Sequence, residues 1–296
     1  MKFGFNKCLR YIFGRSAQQS RASESLDRAE ANDLIARAVS DKQPFLAGRL
    51  GWLEAYFLGY REDHTQLNDK LRAKLWDTPG IFPTTESEFE SFRKRYIHAV
   101  HSADLLGVMH SPYEGYVVEK YASQSETCAL EDLEPYFSPQ PWTASLKGKT
   151  VLVVHPFAVS IRRQYGARNQ LFNDPAVLPE FDLVTLLPPQ TMCGNTGGYG
   201  SWTQALDNLC DQVAGLDFDA AIVGCGSYGL PLGARIKELG RPCVHLGGAT
   251  QILFGLVGKR WEANPRFASL INSHWRRPDE SERPANYQKA EGGCYW

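Results

Sequence analysis

Short apolar runs alternate with amphipathic stretches through the second half of the chain. Val151-Leu152-Val153-Val154-His155, Leu183-Val184-Thr185-Leu186-Leu187, Ala220-Ala221-Ile222-Val223 and Cys243-Val244-His245-Leu246 are nearly continuous in apolar side chains, many of them β-branched. Runs of that kind mark strands buried on both faces. Between them, Ser201 can cap a helix whose inner face carries Trp202, Leu206, Leu209 and Val213, and Leu230 to Leu239 forms another helix ended by Gly240. The first half reads as more helical. Leu26 to Val39 is amphipathic, and Phe45-Leu46-Ala47 is a short strand running into Gly48-Arg49-Leu50-Gly51. A helix with Leu53, Tyr56, Phe57 and Tyr60 on one face follows. Thr85 with Glu88 has the form of a capping box ahead of Phe89, Phe92, Tyr96, Ile97 and Val100, and Leu105 to Met109 is a strand. Strands alternating with helices predict an α/β fold: a Rossmann-like, mostly parallel sheet with helices on both faces and a helical N-terminal part.

Composition narrows the class. The 296 residues carry 32 Lys+Arg against 33 Asp+Glu, a net charge of −1, with 43% hydrophobic residues. These values exclude wholesale disorder, a collagen and a polytopic membrane protein. A near-neutral chain also argues against a bulk nucleic-acid binder. The seven cysteines are odd in number, irregularly spaced and free of a CxxC pair. They suggest neither a disulfide framework nor a zinc site, and they suit a reducing cytoplasm. Pro242 to Gly258 is apolar and charge-free, but its His245, Thr250, Gln251 and glycines read as buried core.

The charge is unevenly placed. Lys2, Lys7, Arg10, Arg15 and Arg21 all precede the first acid, Glu24, and are interleaved with Phe3, Phe5, Tyr11 and Phe13. Residues 1–22 therefore read as a basic-aromatic tail, either docked on the protein or, through residues 1–21, in peripheral contact with an anionic membrane surface. The tail lacks the apolar core and cleavage site of a signal peptide. Residues 23–296 read as one α/β unit, with a weak subdivision near residue 145 where Pro139, Pro141 and Gly148 cluster. A second acid-free stretch, 135 to 173, holds Lys147, Lys149, Arg162, Arg163 and Arg168. With His155, Arg162 and Arg163 follow a strand end, where guanidinium forks suit diphosphate oxygens; the alternative is a solvated helix face.

Three glycine-bearing turns collect beside these strands. Gly224-Cys225-Gly226-Ser227-Tyr228-Gly229 spells GxGxxG between a strand and a helix, a form that lets a phosphate approach the backbone. A nicotinamide fingerprint would carry an acid about 20 residues on. The next strand ends in His245-Leu246-Gly247 without one, so no NAD is expected. The turn points instead to a phosphate or sugar-nucleotide contact, or to a purely structural role. Gly247-Gly248 offers a second such turn at the same sheet edge. Asn195, Thr196 and Gly197 open a polar loop fit for a substrate lid or an inert surface loop. Early in the chain, Glu54 falls in a first helical turn close to Arg49. It can accept a proton, bond a sugar hydroxyl or hold a metal, or simply complement the helix terminus.

Gly48-Arg49-Leu50-Gly51-x-x-Glu54, taken with Ile222 to Leu232, His245-Leu246-Gly247-Gly248, Gly258-Lys259-Arg260-Trp261 and the closing Glu291-Gly292-Gly293-Cys294-Tyr295-Trp296, resembles the GT-D-type glycosyltransferases and their relatives from bacterial surface-polysaccharide biosynthesis. The resemblance spans roughly residues 44 to 296. It implies a Rossmann-like enzyme that moves a sugar from a nucleotide sugar, a UDP-sugar, to a capsule, lipopolysaccharide or lipid-linked glycan acceptor in the cytoplasm or at the inner membrane face. The family's early motif reads Arg-Phe-Gly-Asp-Gly-Glu, its two acids forming a metal-binding pair. Arg49, Gly51 and Glu54 match it, and Trp52 stands at the position of the Asp. Glu54 is thus the expected catalytic residue, and the only residue of the motif left to hold Mn²⁺ or Mg²⁺. Arg49, Gly51, His155, Arg162, Arg163, Gly224, Gly226, Ser227, Tyr228, Gly229, Gly247 and Gly248 are the expected nucleotide-sugar contacts. A non-catalytic nucleotide-sugar-binding module of an assembly complex is the alternative, and an NAD(P)-dependent oxidoreductase a more distant one.

Overall fold

The computed structural model describes residues 22–289 and 291–296. The basic-aromatic segment 1–21 lies outside the described residues. In chain order the elements are α1 (Arg28–Ser40), β1 (Phe45–Arg49), α2 (Trp52–Asp63), α3 (Asp69–Asp77), α4 (Glu86–Ser102), β2 (Leu105–Val108), α5 (Glu114–Tyr121), β3 (Glu126–Ala129), β4 (Thr150–Val154), α6 (Ala158–Tyr165), β5 (Asp182–Leu186), α7 (Trp202–Ala214), β6 (Ala220–Val223), α8 (Gly229–Glu238) and β7 (Pro242–His245). Three short helices follow: α9 (Ala249–Leu253), α10 (Lys259–Glu262) and α11 (Pro265–Ala268). Among the described residues no helix is long and apolar enough to cross a membrane.

All seven strands join one parallel sheet in the order β3-β2-β1-β7-β6-β4-β5. The Phe45 strand lies within it, pairing with β2 on one side and β7 on the other, so both halves of the sequence share a sheet. Alternate strand residues feed opposite faces, as the pleat requires. Leu46, Leu152, Val154, Ala221 and Val223 join a core with α2, α4, α7 and α8, whereas Phe45, Val151, Val153, Ala220 and Ile222 pack with α1, α6 and the C-terminal aromatics. The first core is dense in rings: Phe92 meets Trp202 at 4.6 Å edge-on, and Trp202 stacks on Tyr228 at 5.2 Å. Packing of this kind adds to the burial of the rings themselves.

The edges are handled by polar groups. Along β3, Ser25 donates its N–H to Thr127 O at 2.9 Å while Thr127 N–H donates to Ser25 Oγ at 2.8 Å, so the segment before α1 covers that edge. Ser201 caps α7 as expected, accepting from Gln204 N–H at 3.1 Å. The capping box at Thr85 is only half formed. Thr85 Oγ1 accepts from Glu88 N–H, but the Glu88 carboxylate turns away and accepts from the Thr203 N–H and hydroxyl, both at 2.7 Å. A tertiary contact between α4 and α7 outweighs the local cap.

Candidate active site at the carboxyl edge of the sheet

The chain leaves β4 toward β5 and leaves β6 toward β7, while β1 departs toward β2. Loops at the carboxyl ends of the neighbouring strands β6 and β4 therefore part from one another, and such a divide is where open α/β sheets admit ligands; β7 and β1 follow beside β6 along the same edge. Arg49 ends β1, His245 ends β7, Gly224 follows β6 and His155 follows β4.

Arg49 is the common cation of this edge. Three carboxylates feel its charge: Glu54 from the first turn of α2, Glu114 from the first turn of α5, and Glu134 after β3. All three are buried, at 8%, 0% and 8% exposure. Burial pushes each carboxyl above its ordinary range, and Arg49 opposes that shift. They differ in their partners. Glu114 accepts from Met109 N–H and Ser111 N–H, the latter at 2.8 Å, and so locks the loop after β2. Glu134 sits 3.2 Å from Arg266, off the hydrogen-bond axis, and its Oε2 has no hydrogen-bond partner. The Glu54 carboxylate folds back over Gly51: a Cβ on Gly51 would fall 2.0 Å from Glu54 Oε2. Apart from its own backbone, the groups acting on it are Arg49, which favours the charged form, and Glu291, which opposes it.

Glu134 provides a test of this electrostatic picture. Its carboxyl is held up to about 7 against an ordinary 4.5. The folded state thus keeps a proton that the unfolded chain releases, and folding stability falls as pH rises from 4.5 toward 7. Glu134→Gln is expected to flatten that fall, by at most about 3 kcal/mol. Urea unfolding at pH 5 and pH 8 reads it, and an undiminished pH difference in the variant would contradict the assignment.

The glycines of the GxGxxG turn separate into two kinds. A Cβ on Gly224 would meet Thr250 Oγ1 at 2.6 Å, Gly247 O at 2.7 Å and His155 Cδ2 at 2.7 Å, and one on Gly229 would lie 2.0 Å from His245 Cε1. Both are sites of close packing. Ser227 is buried, donating to Pro79 O at 2.6 Å and accepting from Trp202 Nε1–H, and Tyr228 shares a hydrogen bond with Thr191 at 2.7 Å. Gly226 alone of the set faces open space, at φ +60° with no atom within 4 Å of a would-be Cβ. In the neighbouring turn, a Cβ on Gly247 would lie 3.3 Å from Arg49 Cδ and one on Gly248 3.0 Å from Tyr295 Cε1.

The two histidines are neutral. His155 accepts from Phe157 N–H at Nδ1, and burial depresses it to about 3. His245 lies 3.1 Å from Val223 O through Nδ1 and is depressed to about 4, by burial first and then by Arg49. The arginines of the basic stretch do not converge on Arg49. Arg162 donates to Thr185 Oγ1 on β5, Arg163 pairs with Asp279 at 3.2 Å, and Arg168 with Glu180 at 3.1 Å. The loop at Asn195, Thr196 and Gly197 is anchored on α3: Asn195 O accepts from Trp76 Nε1–H at 3.1 Å, and Cys193 N–H donates to Asp77 O at 3.0 Å.

The sequence reading missed the part played by the C-terminal segment. Arg260, stacked against the rings of Trp261 and Tyr295, pairs with Glu291 at 3.3 Å, and Tyr295 OH bonds Glu291 at 3.2 Å. This cluster closes over the Gly247-Gly248 turn and brings Glu291 into range of Glu54. Its traces in the sequence were the Gly258-to-Trp261 and closing Glu291-to-Trp296 strings. Among the described residues no group of three or more His, Cys, Asp or Glu side chains is arranged to hold a metal ion. With Trp52 in place of an acid and Arg49 facing Glu54, the donor set does not fit a divalent cation.

No family model matches the chain, and no curated protein matches it. Two solved structures of a domain of unknown function, DUF1792, are similar in fold. Each is 15% identical over 87% of this chain and 91% of its own, with TM-scores of 0.46 and 0.45; the second is described as having a distinct glycosyltransferase fold.

Proposed function

We propose that the protein is a glycosyltransferase that moves a sugar from a nucleotide-sugar donor, a UDP-sugar in the first instance, to a hydroxyl of a glycan or lipid-linked acceptor in surface-polysaccharide assembly at the cytoplasmic side of the membrane. The observation that carries this reading is Glu54. It is a buried carboxylate at the carboxyl edge of a parallel sheet, held above its ordinary range by burial, beside a cation, and bonded to no side chain among the described residues. Such a group suits general-base work on a weakly acidic hydroxyl.

Glu54 takes the proton of the acceptor hydroxyl as its oxygen bonds the anomeric carbon. The bond from that carbon to the diphosphate breaks, and the nucleoside diphosphate leaves with the electron pair. Arg49, on the same edge, stabilises the negative charge gathering on the leaving group. The space over Gly226 admits the donor to the backbone of the turn after β6. No step is routed through a metal.

Two measurements test this. UDP release from UDP-glucose, UDP-galactose and UDP-N-acetylglucosamine, with and without Mn²⁺, is expected for at least one donor, and UDP is expected to raise the melting temperature by mass action. Stabilisation by UDP without turnover of any donor would favour the non-catalytic binding module, for which Trp52 in place of the motif's Asp speaks. Gly51→Ala supplies a structural check. Its Cβ must displace the Glu54 carboxylate, so transfer is expected to fall at least about 10-fold, the order of a misplaced catalytic group, with little change in melting temperature. Full activity in Gly51→Ala would show that the present position of Glu54 is not the working one.

A further inference from the structure

A cavity of about 290 Å³ opens in the C-terminal segment, lined by Lys259, Arg277, Glu280, Arg283, Tyr287 and Trp296 among others. It contains none of the residues assigned above. Its lining carries three cations against one acid. The acid is spent weakly: Glu280 is 86% exposed and reaches Arg283 only at 3.5 Å. Arg277 pairs outward with Glu262, and Lys259 has no ion pair among the described residues. Trp296 is 8% exposed, and its buried Nε1–H has no hydrogen-bond partner. The rings of Tyr287 and Trp296 meet edge-on at 5.5 Å, and Arg283 lies 5.1 Å over Tyr287.

The walls are held in place. The Glu282 carboxylate accepts from Val159 N–H at 2.7 Å and Ser160 N–H at 3.2 Å at the start of α6, and Asp279 N–H donates to Ser160 Oγ at 2.8 Å. A carboxylate of the chain's own thus occupies the helix terminus after β4, where an incoming phosphate would otherwise sit. Of the cavity's cations, Lys259 is the one without an ion pair among the described residues. It also adjoins the active-site edge: Trp296 packs on Phe157 after β4 at 5.5 Å, and the next residue, Tyr295, covers Gly248.

We propose that this cavity binds an organic diphosphate, with phosphoryl oxygens on Lys259, Arg277 and Arg283 and the attached ring or chain against Tyr287 and Trp296. Since the donor's own diphosphate is assigned to Arg49 and the turn at Gly226, the ligand here is a second one, the carrier diphosphate of a lipid-linked acceptor; that source rests on the transferase reading, and the binding itself does not.

Isothermal titration of the full chain with inorganic pyrophosphate, UDP and geranyl diphosphate tests it. All three are expected to bind, geranyl diphosphate tightest; UDP binding tightest would overturn the carrier as the source. A Lys259→Ala/Arg283→Ala double variant should weaken every one of them at least about 10-fold, since two charge-assisted contacts are lost. Tyr287→Ala removes the ring that the ligand's organic part meets and should weaken UDP and geranyl diphosphate about 3-fold while sparing pyrophosphate; it stands as the test if the double variant does not fold. Glu54→Gln should leave all three affinities unchanged. Absence of binding of any probe at millimolar concentration, or affinities unaltered in the folded cavity variants, overturns the proposal. Binding without sugar transfer by the wild type would keep the cavity and remove the transferase reading.

Discussion

Glu54→Gln is expected to lower sugar transfer by about 10²–10⁴-fold, the range a positioned general base contributes, while the protein unfolds at the same urea concentration or a higher one. The two halves of that outcome come from one fact. Burial raises the Glu54 carboxyl above 4.5, so at neutral pH its ionised form is held at a cost to folding. The folded state binds the proton more tightly than the unfolded chain, and the carboxyl's contribution to stability declines as pH rises above 4.5. A neutral amide of the same shape removes that cost and removes the base with it. In the wild type the acid limb of the pH–rate profile should lie above the ordinary glutamate range, because the base works only once deprotonated; the residual activity of Glu54→Gln should lack that limb. The competing account makes Glu54 a helix-terminal residue complementing the amides of α2. It predicts the reverse pattern, a loss of stability of about 1 kcal/mol with turnover intact, and single-turnover assays paired with urea melts separate the two.

The fold was legible from the sequence wherever burial was complete. β4, β6 and β7 are buried along their length, and a strand buried on both faces has to be continuously apolar. β3 was not legible: Glu126-Thr127-Cys128-Ala129 is an edge strand with one exposed end, and nothing in its composition distinguishes it from a loop. α3, with two buried leucines among charged residues, was hidden for a similar reason. The site was legible only in part. Arg49, Gly51 and Glu54 lie within six residues of one another, and local spacing is what a sequence displays. The same edge holds Glu114, Glu134, Arg260 and Glu291. These come from four distant segments brought together by the strand order, and no local pattern announces them. The basic stretch shows the converse. Its arginines are close in sequence, but Thr185, Asp279 and Glu180 draw them to different places.

The GxGxxG turn can be settled by a pair of substitutions. Gly229→Ala is expected to destabilise the fold by about 3 kcal/mol, at the upper end of overpacking costs. Alanine is intrinsically the better helix former at the first position of α8, by about 1 kcal/mol, so any loss must come from packing. The contact is with His245, whose ring is buried, lies 2.0 Å from the new methyl group and is held at Val223 O. It can retreat only by giving up that hydrogen bond in the middle of the sheet. Gly226→Ala meets no protein atom, so its cost to stability is only the left-handed strain at φ +60°, about 1 kcal/mol, while it alone weakens UDP binding because the donor enters over that position. A glycine turn kept for close approach of a phosphate makes a different prediction. There, both alanines would weaken UDP binding and neither would much lower the melting temperature. Combining Gly229→Ala with His245→Ala sharpens the result further. If the clash with the imidazole is the cause, the double variant should be more stable than the sum of the single losses, a coupling that distant sites do not show. Thermal melts and UDP titrations on the four proteins decide whether the motif is a ligand cradle or a close contact between a helix and a neutral histidine.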